Sequence, residues 1–345
     1  MPFVYVPGTA AADPSGPLAV QLQEIMGRNR AALVAAGTSL DRVVSVTVYL
    51  KSAADFQAMN EAYRAYWPAD PPTRTTVIAG LARPGALVEL SMVATAGGTE
   101  RVVVHPGGWP RSPSPYSYAI KSDDTLFLSG IVPRSAVDNS AIGGDIKAQT
   151  RAVLDNAGAI LTAAGLSFAH VVSNRVYITQ AANFQAMNDV YREYFPSAPP
   201  ARATVEAGLA AAEYLVEMTM TASSAPREVV GQAPPGIPIS AAVRTGGNLH
   251  LSGVLGNTPQ TSGDVAAQTR ETLARISKTL SAAGASPADV VDSLVYLRDM
   301  SHLDAMDAEY RAFFGPSRHA RTVVGTGLVP NDGLVEIMVT AVSPR

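Results

Sequence analysis

The sequence predicts an α+β protein built as three tandem copies of one domain, each a mixed sheet with two helices on one face. Three observations predict it. The pentapeptides LVAAG, LTAAG and LSAAG, ending at Gly37, Gly165 and Gly284, each close an apolar-periodic segment. From each glycine the copies run without a gap through DRVVSVTVYLKS, AHVVSNRVYITQ and ADVVDSLVYLRD, then DFQAMNEAYRAYW, NFQAMNDVYREYF and HLDAMDAEYRAFF. An arginine stands 37 residues after each glycine and a glutamate 52 after, giving Arg74/Glu89, Arg202/Glu217 and Arg321/Glu336. A period of about 120 residues is domain-sized, so this is domain triplication and not a short-repeat solenoid.

The elements of each copy follow in order. Before the glycine lies an amphipathic helix; in the third copy Val265, Thr269, Leu273, Ile276 and Leu280 step by three or four. The glycine is the left-handed residue that ends it. VVSVTVYL, VVSNRVYI and VVDSLVYL are rich in Val and Tyr and read as strands. The FQAMN segment is a second helix with Phe184, Met187 and Tyr191 on one face, assigned to the core, and a proline soon stops it. Two closing strands carry the arginine and the glutamate.

The N-terminal parts differ. The second copy opens with a strand, a Pro-rich turn and two strands joined at KSDD; the third has its hairpin turn at TGGN. The first copy starts at MPFVYVPGT and lacks the first hairpin. Small-residue and proline stretches place the boundaries near Gly97–Gly98 and Ser223–Pro226, giving domains 1–98, 99–225 and 226–345. The order β-β-α-β-α-β-β leaves one sheet face to be covered. Three such sheets can cover one another around a pseudo-threefold axis, an internal trimer expected to be a monomer in solution.

Composition narrows the function. At 47% hydrophobic and 16% charged, with a net charge of −3, the chain carries no overall basic field, and no nucleic-acid partner is expected. Cysteine is absent, which excludes disulfides, thiolate catalysis and cysteine metal sites. No stretch approaches the roughly 20 apolar residues of a membrane span, and the N-terminus shows no signal-peptide pattern, so a cytoplasmic protein without a membrane partner is expected. The five histidines do not recur at equivalent places, and no metal site is expected.

The Arg/Glu pairs carry the chemistry. An arginine fork suits a planar carboxylate, and a nearby carboxylate can orient or deprotonate a water. The pair equally reads as an ion pair tying two closing strands, and triple retention does not separate the two readings.

SPYSYAI followed by LFLSGIV, the helix ending LTAAG, the FQAMN helix and PPARATVEAGL…LVEMTM together resemble the RidA (YjgF/YER057c) family of reactive-intermediate deaminases. The resemblance covers nearly all of copies two and three, and copy one after its missing hairpin. It implies a chorismate-mutase-like fold, with the three domains forming inside one chain the trimer that family members form from separate subunits, and a cleft between each neighbouring pair. It also implies cofactor-free hydrolysis of 2-imino or enamino acids to 2-oxo acids and ammonia. By the same resemblance Arg74, Arg202 and Arg321 grip the substrate carboxylate, and Glu89, Glu217 and Glu336 place the water. Ser129-Gly130 and Ser252-Gly253 line the cleft, with Pro7-Gly8 in copy one. The family tyrosine matches Tyr116, Ile239 stands there in copy three, and copy one has no counterpart. The family asparagine matches Asn60 and Asn188, with Asp307 in copy three. The position two after the arginine is Thr76, Thr204 and Val323. Copy two, with Arg202, Glu217, Tyr116, Ser129, Gly130 and Asn188, is expected to carry the fullest set. A chorismatase-like or other specialised hydrolase or lyase of secondary metabolism, or a non-catalytic binder of small carboxylates, stays open. The ribonuclease activity attached to the family name sits poorly with the acidic pI.

Overall fold

The computed structural model describes residues 3–315 and 319–342. Each copy is organised around one long Val/Tyr strand. In the second, Val171–Ile178 pairs in parallel with Ala201–Glu206 and antiparallel with Val216–Ser223. The parallel connection runs through the helix Phe184–Tyr194, as a parallel pair requires. Val216–Ser223 pairs onward with Thr125–Leu128, that with Ala119–Ser122, and that with Val102–Val104. The third copy repeats this order. In the first, Phe3–Ala10 pairs directly with Val88–Thr95, so the hairpin is missing as the sequence indicates.

Local chemistry sets the element ends. The long helices Leu18–Ala35, Ile146–Ala163 and Val265–Ala282 stop before Gly37, Gly165 and Gly284, whose φ values of 77°, 75° and 69° only glycine adopts freely. Asp145 and Asp264 cap the second and third of these helices, each accepting from a backbone N–H at 2.9 Å. One face of each sheet packs on its two helices, giving three separate cores.

The other faces meet at the centre. A fourth core draws residues from all three copies, among them Tyr49, Tyr177 and Tyr296 from the same position of the repeat. The free edge of each arginine strand is covered by a two-residue strand from another copy. Gly208–Leu209 pairs with Thr73–Ile78, Gly327–Leu328 with Ala201–Glu206, and Gly80–Leu81 with Ala320–Gly325. The cycle closes after three steps and covers the sheet edge that each arginine strand would otherwise expose.

Candidate active site

Register decides which side chains can meet. Within copy two Arg202 pairs with Asn174 and Glu217 with Tyr177 on the same central strand. Those positions are an odd number of residues apart, so Arg202 and Glu217 lie on opposite faces of their sheet. Arg74 opposite Val46 and Glu89 opposite Tyr49 repeat the offset, as do Arg321 opposite Ser293 and Glu336 opposite Tyr296. The ion pair between closing strands therefore does not exist, and the expected grouping of Arg202 with Glu217 within copy two is corrected. Arg74 instead stands near Glu217, and Arg202 near Glu336, each across a boundary between copies.

The seams between copies show how. Arg74 donates its backbone N–H to Ser129 Oγ at 2.9 Å and accepts from Gly130 N–H at 3.0 Å. Arg202 makes the same pair with Ser252 and Gly253, at 2.8 and 3.1 Å. The serine hydroxyls donate in turn to the Ser117 and Ser240 carbonyls. Ser129 and Ser252, expected to bind substrate, are thus buried docking points for the neighbouring arginine strand. In the third seam Pro7 replaces the serine, and Gly8 N–H donates to Thr322 Oγ1 at 2.9 Å. The glycines make room for the glutamates. A Cβ on Gly130 would stand 1.8 Å from Glu217 Oε1, on Gly253 1.9 Å from Glu336 Oε1, and on Gly8 2.1 Å from Glu89 Oε1.

The three clefts are therefore mixed. Asn60, Arg74 and Thr76 of copy one face Tyr116, Gly130 and Glu217 of copy two around a space of about 430 Å³. Asn188, Arg202 and Thr204 of copy two join Ser252, Gly253 and Glu336 of copy three. At the third seam, where the hairpin is missing, it is Thr322 of copy three, next to Arg321, that comes together with Gly8 and Glu89 of copy one. Each guanidinium lies over a tyrosine of the second helix: Arg74 over Tyr63 at 5.2 Å, Arg202 over Tyr191 at 4.6 Å, Arg321 over Tyr310 at 4.7 Å. These core aromatics hold the cations by their ring faces.

The clefts differ at the guanidinium. Arg202 donates to Asn188 Oδ1 at 2.7 Å, and Arg321 is paired with Asp307 at 2.5 Å. Asn60 Oδ1 is buried with no partner among the described residues, and beyond its ring contacts the Arg74 guanidinium has among them only a long contact to Met59 Sδ. Tyr116 lines only the first cleft, its ring 5.9 Å from the Arg74 guanidinium carbon.

Burial sets the carboxylates. Desolvation pushes Glu217 and Glu336 up to about 8 and Glu89 up to about 7. Arg74 and the Thr76 backbone N–H oppose the shift at Glu217; Arg202 and the Thr204 backbone oppose it at Glu336. No ion pair joins Arg74 to Glu217 among the described residues, so both face the cleft available to a ligand.

The model of the Endoribonuclease L-PSP family matches residues 1–96, 109–224 and 231–343. The chain belongs to this family, also called YjgF or RidA. A RutC family protein of Sulfurisphaera tokodaii is 42% identical over 114 residues, 33% of this chain and 91% of the relative. The 3-aminoacrylate deaminase RutC of Acinetobacter baylyi is 38% identical over 120 residues, 35% of this chain and 95% of that protein. One RidA relative is thus about as long as one copy. A crystal structure of a chorismatase, 17% identical, covers 87% of this chain and 93% of its own with a TM-score of 0.61, a likeness of fold. Among the described residues no helix is long and apolar enough to cross a membrane, and no three acidic or histidine side chains cluster as a metal site would.

Sequence reasoning on the RidA pattern missed two features. A buried glutamine in each long helix, Gln21, Gln149 or Gln268, accepts at 2.7 to 2.9 Å from the backbone N–H two residues before the glutamate and so positions its strand. Their recurrence was visible in the repeats. Arg134 and Tyr214, which line the first cleft, occur in one copy only, and no periodic search finds them.

Proposed function

We propose that this RidA chain hydrolyses 2-imino or enamino acids to 2-oxo acids and ammonia, and that the cleft between copies one and two carries the reaction. The observation that carries the reading is the conjunction, in one open cleft, of an arginine without a carboxylate partner, an unpartnered Asn60 Oδ1, Tyr116 and the raised carboxyl of Glu217. The family's named 3-aminoacrylate deaminase supports the chemistry.

The steps follow from the donor set. The Arg74 fork takes the substrate carboxylate in two parallel hydrogen bonds. Glu217, ionised, accepts a proton from water as its oxygen bonds to the imine carbon and the C=N π electrons move to nitrogen. Glu217, now neutral, returns that proton to nitrogen and leaves a carbinolamine. Glu217 then takes the hydroxyl proton as the carbonyl forms and passes it to nitrogen as the C–N bond breaks, so that ammonia leaves and Glu217 is again ionised. A carboxyl near 8 serves both halves: near neutral pH the neutral form predominates, ready to donate, and an ionised minority activates water. Water is the only co-reactant.

The test is direct. The protein is mixed with freshly generated 2-iminopropanoate and loss of imine is followed by trapping what remains with semicarbazide. Acceleration over buffer is expected; its absence across several 2-imino acids would overturn the reading.

A further inference from the structure

The three copies provide an internal comparison of residues at matched positions. Four residues after the seam glycines stand Ala12, Arg134 and Asn257; three before the glutamates stand Ala86, Tyr214 and Gly333. The fold therefore needs neither Arg134 nor Tyr214. Both occur in copy two, and both line the cleft that Arg74, Tyr116 and Glu217 share.

Arg134 donates through Nε to Tyr214 Oη at 2.5 Å and through Nη1 to the Asn139 carbonyl at 2.8 Å, and lies over the Tyr214 ring at 5.6 Å. Two neutral acceptors thus fix the fork, and its Nη2 has no partner among the described residues. No carboxylate lies within ion-pair distance of it among them. A half-buried cation without counter-charge is costly unless a ligand supplies one. The other charged residues lining the cleft are Glu61 and Arg64, with Arg74 and Glu217. With Glu217 largely neutral near pH 7, the balance is positive. The space, about 430 Å³, falls in the range of sites that hold ligands well beyond three carbons.

From this we infer that the cleft selects a substrate with two anionic groups, an imino or enamino dicarboxylic acid whose second carboxylate is taken by Arg134, with Tyr214 fixing the fork. The inference rests on the reading above in one respect, that Arg74 holds the first carboxylate.

The experiment compares kcat/KM for 2-iminoglutarate and 2-iminobutanoate, each generated in place by an amino-acid oxidase, in the full chain and in Arg134→Met and Tyr214→Phe. One charge-assisted contact favours the diacid by about ten- to a hundredfold. Arg134→Met brings the ratio toward one, and Tyr214→Phe lowers it part-way. A ratio near one in the parent chain, or an undiminished ratio in Arg134→Met, overturns the inference. If no imine is turned over, the deaminase reading fails by itself, and calorimetry then judges the inference with 2-oxoglutarate and 2-oxobutanoate. Tighter binding of the diacid, lost in Arg134→Met, sustains it; equal binding or no binding overturns it.

Discussion

The cross-copy pairing makes a demand that a within-copy pairing cannot meet: activity follows Arg74 and not Arg202. The perturbations are Arg74→Ala and Arg202→Ala, each alone and combined with Glu217→Gln. Arg74 offers two charge-assisted hydrogen bonds to a carboxylate, each worth roughly 1.5–3 kcal/mol. Its removal is expected to lower kcat/KM by about 10²–10⁴. Glu217→Gln removes the proton carrier at a similar cost, about 10²–10⁴. Because both act on one bound substrate, the double mutant falls little below the worse single mutant. Arg202 faces Glu336 in another cleft and lies on the opposite face of its sheet from Glu217. Arg202→Ala therefore changes kcat/KM by the same small factor whether residue 217 is Glu or Gln. The assay is imine loss by semicarbazide trapping, with thermal melting to establish that each variant is folded. Loss of turnover in Arg202→Ala with turnover retained in Arg74→Ala would refute the cross-copy assignment outright.

Gly130→Ala places a Cβ 1.8 Å from Glu217 Oε1 and 3.2 Å from Thr75 Cα, so the carboxylate must move. A displacement of that order is expected to cost about 10²-fold in kcat; Gly27→Ala, which meets nothing within 4 Å on its helix, is the folded control, and equal activity in the two variants would count against the placement of Glu217. The buried carboxyls also predict a pH-dependent stability. Glu217 and Glu336 near 8 and Glu89 near 7 are raised above their unfolded values, so the native chain holds more protons and loses stability as pH rises through these values. His250 is held down to about 4 and is neutral in both states above pH 7, so the window from roughly pH 7 to 8.5 isolates the carboxyls. A loss of about 2–4 kcal/mol across it is expected from denaturant titrations, smaller in Glu336→Gln. Stability that rises across the window would refute the burial argument.

How much the sequence discloses depends on the range of the interaction. Helix ends at Gly37, Gly165 and Gly284, the turn at Gly246–Gly247 and the missing hairpin are set by neighbouring residues and were legible. The recurrence of Arg and Glu was legible too, but not their partners. The face each side chain takes depends on the register of two different strands against Val171–Ile178, a tertiary quantity with no local signature. The seam role of Ser129 was hidden for the same reason. Its partners are its own hairpin carbonyl at Ser117 and the backbone of a strand 55 residues away in sequence. Arg134 was hidden differently, since a search for what repeats passes over what occurs once.

That difference bears on how the triplication is to be understood. What all three copies keep is a guanidinium over a helix tyrosine and a glycine against a buried glutamate. Both contacts lie within one copy and beside the seams, where the arginine strand meets the Ser-Gly pair of the next, so repetition alone marks architecture as readily as chemistry. What the copies do not share falls into the clefts. Asn60, Asn188 and Asp307 occupy one position; with Asp307 the arginine has an internal carboxylate that a substrate must displace. Thr76 and Thr204 give way to Val323, and Tyr116 to Ile239. In a ring of three identical chains each such change would strike every cleft at once. In one covalent ring Asp307 can neutralise Arg321 while Arg74 and Arg202 keep no carboxylate partner among the described residues, so one cleft can change without the others. The residues that break the repeat are on that account the better guide to substrate, and Arg134 with Tyr214 is the pair that breaks it inside the open cleft.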